Sequence, residues 1–109
     1  MPVLTPAAGV KPLSDDARPL ATGTKQLETD RVVVTEWSFP PGAHTGWHRH
    51  EMDYVVVPVT TGDLTIETSD GLARAPLTVG VSYTREAGVE HDVINDNDFP
   101  FRFIEVELK

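Results

Sequence analysis

The stretch Gly46-Trp47-His48-Arg49-His50-Glu51-Met52-Asp53-Tyr54-Val55-Val56-Val57-Pro58 decides how the chain is read. It places two histidines two positions apart, just ahead of a valine run that favours extended backbone. On a strand, residues two apart leave the same face; on a helix they diverge by roughly 200°. If the segment is a strand, His48 and His50 can present both rings to one ion. Downstream come Gly80, Gly88, His91 and Asn95, with His91 opening the strand-prone His91-Asp92-Val93-Ile94 before the turn-rich Asn95-Asp96-Asn97-Asp98. A third imidazole on a neighbouring strand would complete a set of three neutral nitrogens with coordination positions left open. Such a set suits one divalent transition metal ion: Fe, Mn, Ni, Co, Cu or Zn.

Working outward, the chain from Arg31 onward is a series of short β-rich runs separated by turn residues. The runs are Val32 to Phe39, Trp47 to His50, Tyr54 to Val59, Leu64 to Thr68, Ala73 to Val79, Ser82 to Thr84, His91 to Ile94 and Phe101 to Leu108. Pro40-Pro41-Gly42, Thr61-Gly62-Asp63 and Ser69-Asp70-Gly71 mark the turns, the last reading as a hairpin. No stretch shows a 3.6-residue apolar period. The fold class is therefore all-β, a barrel or sandwich. In the last run, Phe101, Phe103 and either Ile104 or Val106 alternate with Arg102, Glu105 and Glu107, which predicts one core face and one wet face carrying the charges. Residues 1–30 hold Pro2, Pro6, Pro12 and Pro19 and little periodicity, so they read as an irregular arm with room for one short strand. Residues 31–109 read as the β-domain.

Composition narrows the function. At 109 residues the chain supports one core. It has no cysteine, which excludes disulfides, thiolate ligands and a thiol nucleophile together. A net charge of −8, from 9 Lys and Arg against 17 Asp and Glu, opposes nucleic acid and anionic membranes, and neither is expected as a partner. Apolar runs fall far short of the ~20 residues of a membrane span, and the N-terminus lacks a charged start followed by an apolar block, so a cytoplasmic location is expected.

The two histidine-bearing stretches resemble the two motifs of the cupin family. Gly42, His48, His50 and Gly62 fit the first, which also carries a glutamate; here Tyr54 and Val55 stand at the places where it would fall. Gly80, Gly88, His91 and Asn95 match the second in order and spacing, with Glu86 where the family has a proline. The stretch from Gly46 to Pro58 also resembles small bacterial one-domain cupins, some of them associated with β-alanine degradation. The resemblance implies a double-stranded β-helix, or jelly-roll barrel, holding its metal through His48, His50 and His91. It also implies a homodimer in which the N-terminal arm packs on the second subunit.

Tyr54 stands ahead of Asp53 as a stand-in for the missing glutamate, either as a phenolate or as a hydrogen-bond partner of bound water. His44, four residues before His48, is the candidate acid/base at the barrel mouth. Arg49 has the wrong parity to join the histidines, while Arg85 or Glu86 can reach the pocket. Gly80 and Gly88 are read as allowing tight turns that place His91, and Asn95 as anchoring the hairpin through its side chain. Three functions fit this set. A mononuclear metal enzyme acting on a small molecule, which the resemblance implies to be a dioxygenase, comes first. A non-catalytic metabolite-binding barrel and a metal-free acid/base isomerase are the alternatives.

Overall fold

The computed structural model describes residues 4–5 and 18–109. Ten strands follow in chain order: β1 (Leu4–Thr5), β2 (Thr22–Glu28), β3 (Val32–Phe39), β4 (His48–His50), β5 (Asp53–Pro58), β6 (Gly62–Thr68), β7 (Gly71–Leu77), β8 (Tyr83–Arg85), β9 (Glu90–Ile94) and β10 (Phe101–Leu108). All eight runs expected from the sequence are strands, with ends displaced by two residues at most. No helix occurs among the described residues, so none is long and apolar enough to cross a membrane.

The strands form two five-stranded sheets, in the orders β1-β4-β9-β6-β7 and β2-β3-β10-β5-β8. Every pairing within them is antiparallel. This is the jelly-roll arrangement. Chain neighbours repeatedly lie in opposite sheets, and each sheet turns one face to a shared interior. Regular structure begins inside the segment read as an irregular arm, because β2 pairs with β3 from Thr22 to Glu28 and forms a sheet edge. Its mostly exposed side chains give little apolar signal. Backbone pairing of Leu4 with His50 and Thr5 with Arg49 adds the short β1 beside β4, within the same chain.

Phe39, Trp37, Val56, Leu64, Phe101 and Phe103 form the centre of the core. Phe39 and Phe101 are fully buried, and burial of each contributes about 1.5–3 kcal/mol. The alternation along β10 differs from the sequence expectation. Phe101 and Phe103 face inward as expected, but Glu105 and Glu107 share their parity and are 3% and 0% exposed. The strand runs without a bulge against both β3 and β5, so the period of two carries both carboxylates into the barrel. Ile104 and Val106 occupy the outer face.

Candidate metal centre

β4 and β9 pair so that His48 stands directly opposite His91. The loop before β9 is tied to β4 on both sides of His50: Gly88 N donates to His50 O at 2.8 Å, and His50 N donates to Val89 O at 2.9 Å. Gly88 takes φ +99° to make this return, a region that side-chain-bearing residues rarely adopt. Gly80, at φ +79°, turns the chain earlier in the same connection. Asn95 is the anchor the sequence predicts. Fully buried, it donates from Nδ2 to the carbonyls of Phe39, Pro40 and Phe99 at 3.1, 3.3 and 2.9 Å, and its Oδ1 accepts from Asn97.

The three histidines converge. His50 Nε2 lies 3.0 Å from His48 Nε2 and 3.1 Å from His91 Nε2, and all three residues are buried. Burial depresses the basicity of each. His48 is lowered chiefly by desolvation, opposed by its bond to Gly46; His50 falls to about 3 and His91 to about 2, with the neighbouring imidazoles adding to the effect. The rings are therefore neutral at pH 7, the form that ligates metal. Two ligands at right angles with bonds of about 2.1 Å place their nitrogens about 3.0 Å apart, against about 3.4 Å for a tetrahedral pair. The two observed separations each fit a pair of ligands at right angles on one ion, and three nitrogens leave other positions open. The donor set and its spacing thus fit a divalent transition ion.

His48 is held in the required tautomer by its backbone: Nδ1 lies 2.8 Å from Gly46 O, to which it donates. That loop is fixed in turn by Asp92, fully buried, whose Oδ1 accepts from Gly46 N at 3.0 Å while its Oδ2 pairs with His44 Nδ1 at 2.8 Å. His44 is therefore a buried partner of Asp92, 2% exposed, and is not among the residues lining the cavity. Its place behind His48 differs from the mouth position expected from sequence, because the loop folds inward through bridges to Leu20 and Ile94.

Tyr54 does line the cavity, with its ring stacked on that of His50, centroids 4.0 Å apart and planes 20° from parallel. Burial raises its pKa above the ordinary phenol value, so the group is a neutral phenol rather than a phenolate. Asp53 points outward, accepting from Ala87 N at 2.8 Å, and Arg49 is exposed, as its parity requires. The inward carboxylate is Glu105, which lines the cavity, accepts from Trp37 Nε1 at 3.4 Å and is pushed up to about 8 by burial and by Glu107. Glu105, Glu107 and Asp92 were not singled out from sequence. The signal for the first two is the unbroken alternation starting at Phe101; for Asp92 no local pattern marks it.

The cavity has a volume of about 230 Å³. Its walls are apolar, with Val56, Leu64, Ile66, Val93 and Phe103 among them, and the exposed Arg74 and Arg85 line it as well. Arg85 sits 4.7 Å over the Tyr83 ring.

Residues 35–107 match the family model described as a cupin domain. The chain is 53% identical over 92 residues to "Beta-alanine degradation protein BauB" of Pseudomonas aeruginosa, covering 84% of this chain and 97% of that one. Among solved structures, a cupin domain from Bordetella pertussis Tohama I is 61% identical, with a TM-score of 0.83 over 84% of this chain and 96% of that one. A cupin superfamily protein from Desulfitobacterium hafniense superposes with a TM-score of 0.63 over 99% and 97% of the two chains; at 19% identity that likeness concerns the fold alone.

Proposed function

The chain belongs to the cupin family, and from that premise and its three converging imidazoles we propose that it is a mononuclear metal-dependent enzyme of dioxygenase type, acting in the cytoplasm on a small organic metabolite. The supporting observation is the approach of His48, His50 and His91 Nε2 atoms to 3.0 and 3.1 Å on a cavity wall. Bound there, a divalent ion would supply Lewis acidity and, for a redox-active metal, a relay for electrons from the substrate to dioxygen.

The chain's own residues do the rest. The histidines hold the ion, and the apolar walls limit the water that reaches it. Arg74 and Arg85 favour an anionic group on the substrate, overriding locally the repulsion of a chain with net charge −8. Tyr54, kept as a neutral phenol, offers a hydroxyl donor from the same wall. At about 230 Å³ the cavity is smaller than the roughly 300–1,000 Å³ of drug-sized pockets. A short-chain carboxylate fits both the volume and the arginines, in keeping with the name of the P. aeruginosa relative.

The test is oxygen uptake by anaerobically Fe(II)-reconstituted protein across β-alanine and a panel of short carboxylic acids. Uptake matched to loss of one substrate, and abolished in His91→Ala, is expected. A fully loaded protein that binds one of these acids but consumes no oxygen would make it a binding barrel instead.

We also propose a homodimer. The outer face of the second sheet carries a continuous cross-strand row, Leu27-Val34-Val106-Val55, flanked by Val32, Ile104 and Val57. These residues are half-buried or exposed in the single chain, which is the pattern of a surface that a second copy covers.

A further inference from the structure

His48 and His50 differ at the nitrogen turned away from the metal site. His48 Nδ1 has the Gly46 carbonyl at 2.8 Å, whereas His50 Nδ1 is buried and makes no hydrogen bond. What it faces is Glu105 Oε2, 4.0 Å away. Around that carboxylate, both oxygens of Glu107 and the hydroxyl of Thr35, which stands across from Glu105 in the ladder, are also buried without hydrogen-bond partners. Buried polar atoms are rarely left so, and this polar nest lies directly behind one metal ligand.

His50 belongs to two groupings of possible ligands. One is the three-histidine set; the other is His50 with Glu105 and Glu107, whose ligand atoms lie within 4.8 Å of one another. It cannot serve both at once, because a neutral imidazole has one lone pair. With the lone pair on Nε2, His50 joins His48 and His91, and Nδ1 carries a hydrogen toward Glu105. With the lone pair on Nδ1, it joins the carboxylates and the three-nitrogen set loses a donor. The choice of tautomer is therefore the choice of site.

We propose that Glu105 is a positioning residue that accepts the Nδ1–H of His50 and so keeps the Nε2 lone pair of His50 turned to the metal site. The gap closes through one water, or by a side-chain shift of about 1 Å to ordinary hydrogen-bond distance. Trp37 Nε1 donates to Oε1 of Glu105, which leaves Oε2 as the oxygen facing His50. Tyr54, stacked on His50, restricts the ring from its face while Glu105 restricts it from its edge. A carboxylate behind a metal-bound imidazole is a common arrangement, and losing it typically weakens metal binding 10- to 100-fold. In this chain it comes from the last strand, outside both histidine motifs.

The inference rests on the three-histidine reading, and two measurements on the full chain separate their fates. The first is the tautomer of His50 in metal-free protein, read by long-range ¹⁵N–¹H NMR. Nδ1–H is expected in the wild type and in Glu105→Gln, with an Nε2–H population appearing in Glu105→Leu. An Nε2–H tautomer in the wild type overturns the proposal without needing any variant to fold. The second is Co(II) affinity by chelator competition. Glu105→Leu is expected to bind about 10- to 100-fold more weakly, and Glu105→Gln to recover to within a few-fold of wild type. Wild-type affinity in Glu105→Leu, or Co(II) retained in His48→Ala but lost in Glu105→Leu, overturns it, the latter by placing the ion among the carboxylates. A wild type that binds no Co(II) removes the three-histidine reading, while the tautomer still decides the role of Glu105.

Discussion

At the scale of single residues, the barrel interior holds titratable groups whose charged forms burial disfavours. His50 and His91 are depressed to about 3 and about 2, first by burial. Unfolding would return them to an ordinary value near 6.5, so the unfolded chain gains protons that the folded one refuses, and stability is lost as pH falls below about 6.5. Glu105 and Glu107 are raised to about 8 and about 7, again first by burial. For them the folded state binds the extra proton, so their contribution is full below about 4.5 and is lost as pH rises toward 8. Between about 4.5 and 6.5 the two sets oppose each other; above 6.5 only the glutamates act. Metal-free protein is therefore expected to melt at progressively lower temperature from pH 6.5 to 8, and Glu105→Gln to shrink that decline. Thermal melts in chelator across this range check it, and a flat wild-type profile would contradict the assignment. None of these environments was legible residue by residue. His48, His50 and His91 announce themselves by spacing, whereas a glutamate in a strand looks like a surface residue until its neighbours are known.

At the scale of elements, the strands were legible because β-branched and aromatic runs alternate with well-marked turns. Two failures have physical causes. β2 is an edge strand with an exposed, mixed-polarity surface, so its pairing is set by the backbone of β3 and not by its own apolar pattern. In β10 the expected assignment followed polarity, sending Glu105 and Glu107 outward, whereas geometry follows parity alone and sends them inward with Phe101 and Phe103. The connection into β10 depends on Asn95, whose side chain meets three carbonyls from two other segments. Asn95→Ala leaves buried acceptors unpaired and is expected to cost about 3 kcal/mol. Urea unfolding should show a lower midpoint with an unchanged slope; a loss below about 1 kcal/mol would mean that water or a backbone shift replaces those bonds.

At the scale of the whole molecule, the family motifs span Gly42 to Asn95, the β-rich runs carry the sequence reading of the barrel from residue 31 to 109, and the structure adds β2 at its edge. The same alternation that carries Glu105 and Glu107 inward puts Ile104 and Val106 outside, beside Val34 and Val55, so one strand serves the site with one face and the proposed subunit contact with the other. Val106→Glu, at the middle of that apolar row, is expected to shift the solution mass from about 24 kDa to the 12.0 kDa of one chain while leaving the far-UV spectrum intact. Light scattering after gel filtration reads the mass and circular dichroism the spectrum, and a wild type already at the single-chain mass would remove the dimer.

The central claim is that His48, His50 and His91 form one metal site. The most direct measurement is the metal content of the purified, tag-free protein by mass spectrometry, repeated after anaerobic Fe(II) reconstitution, for the wild type, His48→Ala and His91→Ala. One transition-metal equivalent in the wild type, lost in both variants, is the predicted result. Unchanged metal in the variants, or a wild type that stays empty after reconstitution, would contradict it.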